Sequence, residues 1–318
     1  MRHLAKIGLL AGLLFILVAC NQSNVDIPPS PTATTAAPDR TISGEPVTVG
    51  VLAIRNAAAA NAQYGALIGY LQETIGRPFV LRPVTQEDQF SLVEAGELDF
   101  TFNNPLAAVQ IQRLYKTEFL ATLSRDNTGP YFSGLIIVRA DSDIESIIDL
   151  RGKRGTCVDH ETAAAGCIFQ VYHLLEQGID PYQDFASFTE TPSQDNIVLG
   201  VLNGTFDVGF IRTGQLERMV TEGTIRSLAD FRILDEAADD FYYPHSTALY
   251  PEWPFAALQD TDPELAQQVK EALLQIHADH PALEAINGAG FTEPLDYQPM
   301  HQLIEQLTLL SWDVAGVE

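Results

Sequence analysis

A chain of 318 residues with 18 basic and 42 acidic side chains carries a formal charge of −24, which excludes a nucleic-acid partner and opposes an anionic membrane surface. Its 46% hydrophobic and 9% aromatic content is that of a folded globular chain, long enough for roughly two domains. Three cysteines are too few for a disulfide-built scaffold, so apolar burial must supply the core.

The chain opens with Arg2 and Lys6 before an apolar run from Ile7 to Ala19. That run is too short for a stable span, which takes about 20 residues, and suits an export signal over residues 1–19. It closes on Leu17-Val18-Ala19-Cys20, which resembles the bacterial lipobox. The resemblance implies cleavage before Cys20 and a lipid on its thiol. An ordinary signal peptide with a chance cysteine is the plainer alternative. No other segment holds 18 consecutive apolar residues, so an N-terminal lipid is the expected membrane attachment of an exported protein. Residues 20–46 hold five prolines and hardly any large apolar side chains, the composition of a tether.

The folded part begins near Val47. Val47 to Ile54 is β-branched and apolar on both faces, as a buried parallel strand requires. Ala58 to Ile75 places Leu67, Ile68, Leu71 and Ile75 at helical spacing and stops at Gly76. A strand over Pro78–Pro83, a helix over Gln86–Ala95, a strand over Leu98–Asn103 and a helix over Pro105–Leu114 follow. This alternation predicts a parallel sheet with right-handed crossovers.

The pattern restarts at Ser133–Arg139 with a strand, then a short helix and turn at Ile147–Lys153. Arg154–Val158 leads into a helix over Ala163–Gln177, and a helix over Asn196–Asn203 precedes a strand at Phe206–Ile211. Gly96-Glu97-Leu98-Asp99-Phe100 in the first half echoes Gly204-Thr205-Phe206-Asp207-Val208 in the second. Two similar α/β lobes, with the carboxyl ends of their strands facing a shared cleft, account for the echo.

Val49–Arg55, Gly96–Pro105, Ser133–Ser142 and Asp149–Arg154 together resemble phosphate/phosphite/phosphonate-type periplasmic binding proteins. Val208–Met219, His245–Phe255 and Pro294–Leu303 are similar to the extracytoplasmic sensor domains of that family in histidine kinases, including tetrathionate sensors. The resemblance implies an α/β type II periplasmic-binding-protein fold that closes on a small ligand, usually an anion. Its lobes would comprise residues 47–132 with 242–318, and residues 133–241. Unlike the sensors, the sequence shows no second membrane segment or kinase module, so the chain is expected to bind and present its ligand. The expected partner is an ABC permease or a sensor kinase.

Anion binding calls for positive charge or free helix N-termini. Arg55 follows the first strand, and Arg212, with Thr213 beside it, follows Val208–Ile211. Ordinary surface ion pairs are the alternative for both arginines. Thr162 is placed to cap the helix at Ala163. In phosphonate binders a Ser-Thr pair at the matching helix start holds the anion; here the pair is Thr162-Ala163, one hydroxyl short. Ser193 and Gln194 precede the next helix, Gln194 standing where the family often has histidine. Asn103 and Asn104 stand before Pro105, where the family meets its ligand, and His245 lies where the chain should recross between lobes. Plain helix caps and a structural histidine are the bland readings of these positions. Tyr64 and Tyr131 could wall the ligand, with core packing the default.

Cys157 and Cys167 stand ten apart. In an exported protein a disulfide is the natural reading, and with Cys20 lipidated no thiol is left over. A redox-switching pair is the alternative, given the resemblance to tetrathionate sensors. There is no G-x-S-x-G, H-E-x-x-H or P-loop, so no enzyme and no cofactor is expected. Asp159-His160-Glu161 beside Cys157 lacks an orienting partner for thiol catalysis, and His277 with His280 form an isolated pair, so no metal site is expected.

Overall fold

The computed structural model describes residues 42–309; the export signal, Cys20 and most of the tether lie outside the described residues. Strand β1 (Val47–Leu52) is buried on both faces, as its β-branched composition requires. Asn56 then caps α1 (Ala57–Ile75), its side chain accepting the Ala59 N–H at 2.9 Å. Gly76, at φ 79°, ends that helix in the left-handed conformation. β2 (Phe79–Val84), α2 (Gln89–Glu94), β3 (Phe100–Phe102), α3 (Pro105–Tyr115) and β4 (Glu118–Arg125) follow. The chain continues through β5 (Tyr131–Phe132), β6 (Gly134–Arg139), β7 (Arg154–Cys157), α4 (Phe169–Glu176), α5 (Pro181–Asp184) and β8 (Ser187–Glu190). Next come α6 (Gln194–Leu202), β9 (Val208–Arg212), α7 (Gln215–Thr221), β10 (Phe231–Leu234), β11 (Tyr250–Pro251) and β12 (Pro254–Ala257). α8 (Pro263–Gln275), α9 (Pro281–Glu284), β13 (Gly288–Thr292) and α10 (Gln298–Gln306) complete it.

Two sheets result, ordered β13-β4-β12-β3-β1-β2 and β10-β6-β9-β7-β8. They are mixed, which corrects the all-parallel expectation. β1, β2 and β3 run parallel, as do β7, β8 and β9, where helices make the crossovers. β6, which the chain enters on reaching the second sheet, runs against β9, and β12, entered on its return, runs against β3 and β4. The two connecting segments pair with each other as the antiparallel β5–β11 ribbon. Around it the Ser133 hydroxyl donates to the Thr247 carbonyl at 2.8 Å, and the Ser246 hydroxyl donates to that of Leu234 at 2.8 Å.

The sequence echo has a shared structural basis. Asp99 accepts the Thr48 N–H of β1 at 2.7 Å, and Asp207 accepts the Arg154 N–H of β7 at 2.8 Å. Each aspartate thus ties the start of one strand to its parallel neighbour, after a left-handed glycine, Gly96 or Gly204.

Phe102 packs with Tyr64, Trp253, Phe255 and Phe291 in the core of the first sheet. Ile136, Val138, Phe169 and Phe210 of the second share a cluster with Leu106 and Val109 of α3 and Met300 of α10. The helix expected over Ala163–Gln177 opens instead with a π-helical turn, Ala164–Ile168, before α4. Its cap position is also corrected. Ala163 is the extended residue before the turn, while the Thr162 hydroxyl donates to Asp159 at 2.8 Å and to Gln86 at 3.0 Å.

Candidate binding cleft

A cavity of about 470 Å³ opens where strands of both sheets end. Arg55 and Asn56 after β1, Thr85 and Gln86 after β2, Val158 and Asp159 after β7, and Arg212 at the end of β9 all line it. Phe132 and Trp253, from the segments joining the sheets, add aromatic wall. Ala164, Ala165 and Gly166 bring the opening turn of the α4 helix to the cavity, and the first N–H groups of any helix lack intrahelical partners.

The charged floor is Arg212 at the cavity, with Glu252 and Arg125, which do not border the cavity, behind it. Arg212 Nη2 donates to Glu252 Oε1 at 3.1 Å, and its guanidinium lies 5.4 Å from the centroid of the Phe132 ring. Arg125 grips the same carboxylate through Nε and Nη2 and donates from Nη1 to the Ile286 carbonyl at 2.7 Å. Glu252 is 0% exposed. Burial pushes its carboxyl up, but Arg125 and Arg212 outweigh burial and hold it below the usual carboxylate range. Arg212 is lowered from its ordinary value, by burial first and by the neighbouring Arg125 next. The buried Arg212 Nε has no partner among the described residues. Two guanidiniums therefore share one carboxylate, leaving a positive charge on the cavity floor.

The mouth is balanced. Arg55 reaches Asp195 at 2.8 Å and Glu222 at 2.6 Å, and Arg218 pairs with the same two carboxylates. Asp195 opens α6 and Glu222 follows α7, so Arg55 ties the end of β1 to two helices of the second sheet. The Thr162–Gln86 bond and the Gln110 side-chain amide, which donates to the Glu161 carbonyl at 2.8 Å, cross the same gap.

Over residues 49–298 the chain matches the family model described as ABC transporter, phosphonate, periplasmic substrate-binding protein. The chain belongs to that family. Its members are periplasmic substrate-binding proteins rather than enzymes. Tetrathionate sensor histidine kinase TtrS of Salmonella typhimurium is 29% identical over 236 residues, which cover 72% of this chain and only 39% of that protein. PhnD1 of Prochlorococcus marinus, solved in complex with methylphosphonate, superposes with a TM-score of 0.69 at 15% identity, over 83% of this chain and 99% of that one. A binding-protein component of an ABC phosphonate transporter from Pseudomonas aeruginosa gives 0.68 at 16% identity, over 83% and 86%. The shared architecture is the type II periplasmic-binding-protein fold.

Against this family fold, Arg55, Asn104, Gln194 and Arg212 border the cavity. Gln194 Oε1 accepts the Arg212 N–H at 2.9 Å, and its Nε2 sits beside Gly166, where an added Cβ would stand 3.1 Å from it. Asn104 caps α3 by accepting the Ala107 N–H at 3.1 Å. Asn103, Thr162, Ser193, Thr213 and His245 are not among the residues bordering the cavity. Asn103 binds Gln89, Ser193 caps α6 by accepting the Asn196 N–H, and Thr213 accepts the Ser133 N–H. His245 is buried, Nδ1 donating to the Thr247 carbonyl at 2.7 Å while Nε2 lies 3.1 Å from both oxygens of Asp239. Tyr64 packs in the core, its hydroxyl pushed up to about 12 by burial, and Tyr131 is exposed away from the cavity. Cys157 and Cys167 form a disulfide. Sequence reasoning missed Glu252 and Arg125; the available signal was a single acid inside the apolar stretch Tyr250–Phe255.

Proposed function

We propose that this chain is a lipid-anchored extracytoplasmic binding protein that closes two lobes on a small anion of the phosphate, phosphonate or oxyanion class. It delivers that ligand to an ABC permease or reports it to a sensor kinase. The observation that carries the reading is the unbalanced floor: a half-buried guanidinium whose buried Nε is unpartnered, one carboxylate shared between two arginines, and a helix N-terminus at the same cavity. Unpaired buried charge is costly, and an anion relieves that cost. The Arg212 guanidinium and the first N–H groups of the helix donate charge-assisted hydrogen bonds to it. Ligand contact with both sheets favours the closed arrangement, with the β5–β11 ribbon as the hinge.

A thermal-shift screen of anions followed by calorimetry on Arg212→Ala and Arg212→Lys tests this. The expected loss for Arg212→Ala is about 2–5 kcal/mol of binding, with a smaller loss for lysine, which cannot form the two parallel bonds. Parent-like binding by Arg212→Ala sinks the anion site. The anchor is tested separately: Cys20→Ser should move the protein from the detergent phase to the soluble fraction. A second reading, a redox- or ligand-sensing module, is favoured by the position of the Cys157–Cys167 bond, which joins the end of β7 to the turn that borders the cavity.

A further inference from the structure

The disulfide has a third neighbour. A ring nitrogen of His160 and the sulfurs of Cys157 and Cys167 all lie within 4.8 Å of one another. His160 Nε2 is buried without a hydrogen-bond partner among the described residues, whereas Nδ1 stands 3.7 Å from Glu190 Oε1. The backbone N–H of His160 also donates to that carboxylate at 2.9 Å, and its ring stacks on Phe188. A histidine that turns one nitrogen to a carboxylate and leaves the other free has the arrangement of a metal ligand with its supporting acid.

We propose that the reduced chain binds a thiophilic d¹⁰ cation, zinc(II) being the reference case, through Cys157, Cys167 and His160 Nε2. Three protein ligands of this composition leave a fourth position open to water or another donor. A dithiol reductant opens the bond by exchange: its two thiols become a disulfide, and the Cys157 and Cys167 sulfurs each take up a proton. Both protons pass to solvent when the two thiolates bind the cation. A second cleft, of about 420 Å³, reaches His160 beside Glu161, Asp180 and Tyr182, while Cys157 and Cys167 are buried behind it and do not line it. The field there is negative: Glu161 and Asp180 line that cleft and Glu190 lies beside the His160 ring. Cys157, His160 and Cys167 do not border the larger cavity, and the proposal does not rest on the anion reading.

The test uses the exported chain, reduced anaerobically with a phosphine and titrated with cobalt(II). The expected result is one equivalent bound, with thiolate-to-cobalt charge transfer and tetrahedral d–d absorption, displaced by zinc(II). The oxidised protein should show neither band. His160→Gln keeps both cysteines, so its oxidised form should retain the parent near-UV circular dichroism, yet its reduced form should bind cobalt about tenfold or more weakly. Absence of the charge-transfer band in the reduced protein, collapse of its near-UV signal on reduction, or parent-like cobalt affinity in His160→Gln each overturns the proposal.

Discussion

The floor and the mouth of the cleft are both built from arginine and carboxylate, yet their stoichiometry differs. At the mouth Arg55 and Arg218 face Asp195 and Glu222, two charges of each sign, with the Arg55 side chain 38% and that of Glu222 37% exposed. At the floor Arg125 and Arg212 face Glu252 alone, and Glu252 is sealed from water. Exposed, neutral networks are screened and contribute little; a buried surplus is costly until something neutralises it. The difference separates two jobs that the residue type alone does not. The mouth joins parts of the protein to each other, and under the proposed function the surplus at the floor is what a bound anion neutralises.

Breaking the floor should cost most. Glu252→Gln leaves two buried guanidiniums with no carboxylate, and urea denaturation should show a loss of about 3–5 kcal/mol. Arg212→Met sharpens the comparison, because it removes the surplus and leaves Arg125 gripping Glu252. Without ligand its stability should stay within about 1 kcal/mol of the parent, while calorimetry should show the affinity for the screened anion lost. A large fall in ligand-free stability would make Arg212 a structural partner of Glu252 instead. At the mouth, Arg55→Gln should lower stability by about 0–1 kcal/mol, and that small difference should shrink as salt is raised.

Much of the fold was legible because it depends on local rules. Gly76 ends α1, Asn104 and Pro105 start α3, and the Gly96 and Gly204 echoes mark equivalent strand starts, whereas the Asn56 cap that starts α1 at Ala57 went unread. Strand direction was not legible across the connecting segments, since periodicity reports burial and not which sheet the chain enters next. The site was half legible. Arg212 stood out by its place after a strand, but the residue that defines its state, Glu252, is forty positions away. Arg55 occupies the corresponding place after β1 and differs only in what it meets, Asp195 and Glu222, at separations of 140 and 167 residues. Thr162 had the composition of a cap, but competition from Asp159 and Gln86 for its hydroxyl decided otherwise.

The smallest expected effect is the pH dependence of the mouth. Burial raises Asp195, but Gln215, Arg218 and Arg55 outweigh it, and its carboxyl lies below its ordinary value. Glu222 is lowered likewise, burial being outweighed by Arg55 and Arg218. A carboxyl depressed in the folded state binds fewer protons there than in the unfolded chain. Its contribution is therefore complete above the unfolded values of about 3.9 for aspartate and 4.3 for glutamate, and is lost as pH falls through the lower folded values. Arg55→Gln removes part of that depression, so the stability gap between parent and variant should be constant from pH 7 down to about 5 and close below about 4. Partial exposure screens both carboxylates, which keeps the gap within the 0–1 kcal/mol range expected of surface pairs. Melting curves of the two proteins at matched ionic strength measure it. A gap that widens as the pH is lowered would mean that Arg55 does not act through these carboxylates, and the balanced mouth would lose its place in the comparison with the floor.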